Sequence, residues 1–575
     1  MAPQTVPTIQ GPALTASGLR GGSGGTPPVR SGTVRNLEEI LKSHPGLAMV
    51  CVVAIVLIPY ILRLLLIGRF NLGNDEAHYY MYAVHPDLSF FDHPLMIGLL
   101  IGKSLAWWGH TEFAVRFFAP TLFAVSSVLL GFCAWSFIPS WTFVLFVLIL
   151  LNAVPLFGLL GSTLMIPDDP LSVLWLLYFF LTLSILPRIA DKTASERWIA
   201  WCLMGSVFGL ALLSKYNAIL LPLMTAGIMS TQRPMRKYLF ETAPWLGLAL
   251  GFVVAWPLFY WNYLHQGASF FFQAKHGIGG LSFDWVPFYQ MVFGQIGYVS
   301  PILWGLILLS LVYSARRSGS LPDPVQGTRW LILSWFGLFP IGFFNLIGIF
   351  HPILPHWPAM GYLAGVLSLA LMVWNGGSSK IRKWNRAGMA VGFGLSALVL
   401  LQLFFQIVPL PGTFPNKVAL TNRFPYIRSE SKAVPRWVDI TNDLFGFKRL
   451  ARHIRSIEPA PLVSGSFFVS DHFNTADELA FYMKAPYRTL CLEPGANQFD
   501  FWTDPARFLG QNGLFVSTDK YPTDPRSLYP TGTFREIIPE KPFSIYRKGR
   551  LARTFYIYRL IGFQKIPWKK IPRTS

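Results

Sequence analysis

The chain has 575 residues, of which 52% are apolar and only 13% charged, with a mean hydropathy of +0.43 and a formal net charge of +20. Soluble globular chains carry about 25% charged residues, so this composition excludes that class and describes a polytopic α-helical membrane protein. Its four cysteines are too few for a disulfide framework. Cys51, Cys133 and Cys202 sit in apolar segments and Cys491 stands alone, and all four read as unpaired thiols.

Residues 1–45 are rich in Gly, Pro, Ser and Thr and carry Arg20, Arg30, Arg35 and Lys42, which describes a flexible cytoplasmic tail. The run Gly21 to Gly25 follows no strand pattern and opens no helix pattern, so it is not a phosphate loop. The first apolar segment, Gly46 to Gly68, is expected to be an uncleaved anchor. About eleven spans are expected in a membrane domain over 46–410: 46–67, 113–138, 141–160, 171–187, 198–213, 218–230, 241–261, 289–313, 330–350, 358–374 and 388–409. The pair 198–213 and 218–230 is short enough to be one broken span. Basic residues then fall on alternate loops: Arg188, Lys192 and Arg197; Arg233, Arg236 and Lys237; Arg316, Arg317 and Arg329; Lys380, Arg382, Lys383 and Arg386. Positive loops face the cytoplasm, so the opposite loops, 68–112, 161–170, 214–217, 262–288 and 351–357, are expected outside.

Those outer loops hold the chemistry-bearing residues. Asn74 to Pro94 gathers Asp75, Glu76, Asp92 and His93 into one expected polar loop, in a chain with only 28 acidic residues. Carboxylates beside a membrane are costly unless paired or functional, so the cluster is a candidate site, although a merely solvated loop would look similar. In Pro167-Asp168-Asp169-Pro170 the prolines stiffen the loop; Asp169 before Pro170 suits a helix N-cap, which leaves Asp168 as the functional candidate. Lys215, next to Tyr216 and amid apolar sequence, reads either as a snorkelling helix end or as a cation for a lipid phosphate. His351 and His356 lie in a proline-braced loop; a divalent metal is possible there, but their spacing matches no metalloprotease motif.

After Pro409 the character changes, and 411–575 reads as a small extracytoplasmic α/β domain. Leu462-Val463, Phe467 to Val469 and Gly513 to Ser517 are expected strands, and Thr475 to Met483 a helix. The tail from Arg547 through Lys569, Lys570 and Arg573 interleaves basic and apolar residues. It suits membrane lipids as partners, or simple solvation, and not nucleic acid.

The order Asp-Glu-Ala-x-Tyr-Tyr (75–80), Phe-Asp-His-Pro (91–94), Pro-Asp-Asp-Pro (167–170), Leu-Ser-Lys-Tyr (213–216) and His-Trp-Pro (356–358) resembles bacterial polyprenyl-phosphate-sugar glycosyltransferases of the GT-C superfamily. These are similar to protein mannosyltransferases and to lipid A aminoarabinose or galacturonic acid transferases. Glu478 to Tyr482 and Asn497 to Trp502 resemble their extracytoplasmic domain. The resemblance implies a GT-C fold and a bacterial inner-membrane enzyme that moves a sugar, with inversion, from a polyprenyl phosphate donor to a lipid, glycan or protein acceptor. It implies Asp75 as the general base with Glu76 tuning or orienting it. Asp92, His93, Asp168, Lys215, Tyr216 and His356 are implied as substrate contacts. A secondary transporter or a lipid carrier would also be polytopic. Neither accounts for Asp75, Glu76, Asp168 and Lys215 falling on one side.

Overall fold

The computed structural model describes residues 40, 41, 43–278, 285–408, 439–457 and 466–568. Helices dominate up to Phe405 and a mixed sheet follows. Five helices are long and apolar enough to cross a membrane: Pro45–Leu66, Glu112–Phe137, Asp168–Asp191, Pro324–Phe350 and Ser379–Phe405. Three bent pairs raise the count to eight among the described residues, if each pair is one span. The chain is thus a multi-pass membrane protein, whereas the expected eleven spans exceed what length and apolarity support.

Three expected spans are broken, and each break has a proline behind it. The segment 141–160 bends by 83° before Pro155, 241–261 by 56° before Pro257, and 289–313 by 99° between Val299 and Pro301. Proline lacks the N–H that would continue a helix but suits the first turn of a new one, so each proline opens a second helix. Ser300, at the sharpest bend, has φ +84°, which no continuous helix allows. The expected short pair is also separate, as Ala194–Leu212 and Leu220–Thr231 with a tight turn at Tyr216–Ile219. Outer loops 68–112 and 262–288 prove largely helical, holding Asn74–Val84, Met96–Trp108, Ala268–Ile278 and the start of Trp285–Val299.

Helix packing explains one glycine pattern. Gly205 and Gly209 on Ala194–Leu212 face Gly247 and Gly251 on Thr242–Val254; a Cβ on Gly205 would lie 1.8 Å from the Gly247 carbonyl oxygen. Small residues at i and i+4 on both helices permit this backbone approach.

The C-terminal sheet runs β2 (Thr489–Cys491), β1 (Phe467–Ser470), β3 (Gly513–Thr518), β6 (Arg550–Phe563), β4 (Phe534–Pro539), with β5 (Phe543–Arg547) also on β6. Pairs β1–β2 and β1–β3 are parallel; β6 is antiparallel to β3, β4 and β5. The expected helix and two of the three expected strands are present; Leu462-Val463 lies outside the described residues. The helix is Phe473–Met483, and it packs against Asn74–Val84. One apolar cluster joins Tyr79, Tyr80 and Tyr82 of the latter to Leu479, Phe481, Phe468, Phe499 and Phe555. The sheet domain therefore shares a core with the first outer segment.

The tail reading needs correction. Arg547 donates to the backbone oxygens of Gln402 and Leu403, to Thr441 and to Asn442, and so staples the end of the last long helix to the domain. Arg553 pairs with Asp443 at 2.7 Å and Arg559 pairs with Glu540. These arginines serve the fold; Lys569, Lys570 and Arg573 lie outside the described residues.

Candidate active site

Helix Asn74–Val84 supplies most of the site, and helical geometry sorts its residues. Positions three and four apart share a face, so Asp75, His78, Tyr79 and Tyr82 point one way while Glu76 turns aside. Glu76 is buried and fully engaged: Arg116 meets both its oxygens at 2.7 and 2.6 Å, and it accepts the N–H groups of Gly73 and Met165. Arg116 also donates to the carbonyls of Ile67, Phe70 and Asn71. Glu76 thus has all its acceptor positions in use. It positions the first turn of the helix and ties it to the 161–167 segment.

Asp75 makes no hydrogen bond among the described residues and keeps exposed surface, although protein surrounds it on most sides. Burial raises its carboxyl pKa, His78 opposes that shift, and Asp92 adds to it. An open carboxylate with a raised pKa is a competent proton acceptor.

His78 stands at the centre of a chain of buried groups that the motif reading passed over. Its Nδ1 lies 2.8 Å from Asp477 Oδ2 and its Nε2 3.3 Å from Asp92 Oδ2, and Tyr82 donates to the other oxygen of Asp92. Two flanking carboxylates outweigh desolvation and hold the imidazole well above its ordinary pKa, so it is an imidazolium. The same contacts keep Asp92 well below the usual carboxylate range, while burial lifts Asp477 to about 6. Asp92 is therefore an acceptor already committed to His78 and Tyr82, and its backbone oxygen accepts from Gln273 at 2.7 Å.

Lys215 donates to Asp168 Oδ2 at 2.7 Å, with both side chains about nine-tenths buried. Asp168 Oδ1 is buried without a partner among the described residues. Asp169 does not cap the helix, which starts at Asp168 after Pro167; instead its Oδ2 accepts the Ile166 N–H at 2.9 Å. His93 and His356 both lie in the field of the Asp168–Lys215 pair, and burial lowers each to about 4, so both are neutral. Tyr216 bonds Ser269 through its hydroxyl. Tyr79, missed as a site residue, is buried within the fields of Asp75, Asp92, Asp168 and Asp169. Asp477 was also missed, since it lies about four hundred residues downstream of the loop it completes. Its signal would have been a second buried acid beside Glu478 in an apolar helix.

Among the described residues no three His, Cys, Asp or Glu side chains converge as metal ligands. The expected possibility of a divalent ion thus finds no fitting donor set, and no step is routed through one.

Comparison with known proteins gives the same picture. The family model for dolichyl-phosphate-mannose-protein mannosyltransferase matches residues 92–261. The undecaprenyl phosphate-alpha-4-amino-4-deoxy-L-arabinose arabinosyl transferase of Pectobacterium atrosepticum is 26% identical over 281 residues, which is 45% of this chain and 46% of that one. The chain thus matches less than half the length of this curated relative. The crystal structure of ArnT from Cupriavidus metallidurans superposes on 88% of this chain and 97% of its own, with TM-score 0.54 and 16% identity. The chain thus shares the fold of that ArnT. The same ArnT bound to undecaprenyl phosphate gives TM-score 0.53. The family match begins at Asp92 and takes in Asp168 and Lys215, while Asp75 lies upstream of it.

Proposed function

We propose that this chain is an inverting GT-C glycosyltransferase that takes its sugar from a polyprenyl phosphate donor. The observation that carries the reading is the combination of an open, pKa-raised carboxylate, Asp75, with an ammonium, Lys215, fixed by Asp168. The undecaprenyl-phosphate relative and the ArnT structure bound to undecaprenyl phosphate support the donor class.

In the proposed step the acceptor oxygen attacks the anomeric carbon as the bond to the phosphate oxygen breaks. The polyprenyl phosphate leaves with the bonding electrons, and Asp75 takes the acceptor proton. The leaving group is already ionised, so it needs charge stabilisation and not a proton. An ammonium has three donors, and Asp168 uses one, which leaves two on Lys215 for phosphate oxygens. Asp168 fixes the direction of that ammonium. His93 and His356, held neutral, offer hydrogen bonds to sugar or phosphate without adding charge. A single direct displacement inverts the anomeric centre.

The reading places the enzyme in the bacterial inner membrane with the site and the sheet domain outside the cytoplasm, as the alternation of basic loops supports. A reporter active only outside the cytoplasm, fused at Ser575, should be active; a silent, well-expressed fusion would reverse the orientation. The reaction itself is tested by incubating membranes with labelled polyprenyl-phosphate sugars and mass-mapping the products. Transfer of label to lipid A, another lipid, a polysaccharide or a protein identifies the acceptor. Donors recovered intact across a full sugar panel would overturn the proposal in favour of a lipid carrier.

A further inference from the structure

A second charged cavity lies apart from the Asp75 and Lys215 site, where the last long helix meets the sheet domain. It measures about 330 Å³ and is lined by Lys448, Arg449, Arg452, Arg547 and Lys548 together with Phe404 and Phe405. None of its lining residues is acidic.

Its local construction explains the charge. Helix Phe447–Ile457 buries Phe447, Leu450, Ala451 and Ile454 against the domain, and this pattern turns Lys448, Arg449 and Arg452 outward together. Lys448 and Arg452 are one turn apart, as are Arg449 and Arg452, so like charges crowd one face, at a cost unless an anion joins them. Of the nearby acids, Glu112 pairs with Lys448 at 3.1 Å and also accepts from Tyr482, and so partly offsets that one cation; Asp439 accepts from Gln402 and Thr441, and Asp443 holds Lys520 and Arg553. Arg547 is stapled to the end of the long helix, so the floor of the cavity is rigid. Arg449 makes one long contact, 3.3 Å to the Tyr546 carbonyl.

Position identifies the occupant. Phe404 and Phe405 are the last residues of the span Ser379–Phe405, and they are 39% and 54% exposed, as lipid-facing residues are. The cations therefore stand where the span leaves the hydrocarbon, at headgroup depth. We propose that this cavity binds the phosphate of an anionic membrane lipid and thereby moors the sheet domain to the bilayer surface, independently of the transfer reaction. Arg449 and Arg452 bind phosphate oxygens, and the two phenylalanines lie along the acyl chains.

The test uses the full-length protein in neutral detergent micelles, titrated with phosphatidylglycerol, with phosphatidylcholine or with inorganic phosphate, and reads the melting temperature. Phosphatidylglycerol should raise it and phosphatidylcholine should not. The double variant Arg449→Gln/Arg452→Gln should need about 30-fold more phosphatidylglycerol for the same rise, the scale for losing two charges at headgroup depth. Lys548→Gln, on an exposed side chain, gives a smaller loss in the same direction and covers the case in which the double variant folds poorly. Wild-type sensitivity to phosphatidylglycerol in both variants would overturn the proposal. So would inorganic phosphate matching phosphatidylglycerol at equal concentration, which would make this a free-anion site.

Discussion

Replacing Lys215 by Met separates two roles that share one ammonium. Lys215 and Asp168 are buried together, with side chains 8% and 10% exposed. Methionine keeps the apolar stem but leaves the Asp168 carboxylate with neither oxygen compensated, since its Oδ1 already lacks a partner among the described residues. Breaking a buried pair in this way costs about 3–5 kcal/mol of stability. If Lys215 also stabilises the leaving phosphate, the variant loses a further ~2–4 kcal/mol from the transition state, about 30- to 1,000-fold in kcat/KM. The double variant Asp168→Asn/Lys215→Met removes the stranded charge. Its melting temperature should recover most of the loss while kcat/KM stays low. The assay measures thermal unfolding and donor-dependent turnover on the same preparations. A double variant that regains both stability and turnover would show that Lys215 only neutralises Asp168, and would refute the phosphate role.

Glu76→Gln should cost about 3 kcal/mol, because Arg116, fully buried, loses its carboxylate partner; a thermal melt checks this, and an unchanged melting temperature would contradict it. Asp477→Asn removes the charge of the carboxylate that ties the sheet domain to His78, so limited proteolysis should release that domain faster, while equal protection would show that the apolar contacts suffice. Acidification should destabilise the protein through His93 and His356. Their folded pKa values near 4 lie below the unfolded value of about 6.5, so the unfolded state binds more protons between these pH values. The stability they contribute is complete above pH ~6.5 and is lost as pH falls towards 4, and His93→Gln/His356→Gln should flatten that acid limb in melts at stepped pH. His78 acts with the opposite sign. Its raised folded pKa gives stability that is present below pH ~6.5 and lost as pH rises through the folded value.

The composition made the membrane class legible. Span boundaries were harder to read because apolar content does not distinguish a continuous helix from two helices meeting at a proline, as at Pro155, Pro257 and Pro301. Within the site, Asp75, Asp92, Asp168 and Lys215 were visible as charges in apolar surroundings. Glu76 was visible too, but its role depends on which way one helix turn faces, and only Arg116 reveals that. The pairing of Lys215 with Asp168 spans 47 residues, and that of His78 with Asp477 spans 399. No local pattern encodes such contacts; the first arises when the helix from Asp168 packs on Ala194–Leu212, the second when Phe473–Met483 packs on Asn74–Val84.

The proposed reaction depends most on Asp75, and Asp75→Asn tests it most directly. The amide keeps the side chain's size and, with no hydrogen bond among the described residues to lose, should leave the melting temperature and donor affinity near wild type. Turnover with a hydroxyl acceptor should fall by about 10²-fold or more, because the amide cannot take the acceptor proton. Turnover at the wild-type rate in a folded Asp75→Asn protein would contradict the assignment of Asp75 as the base.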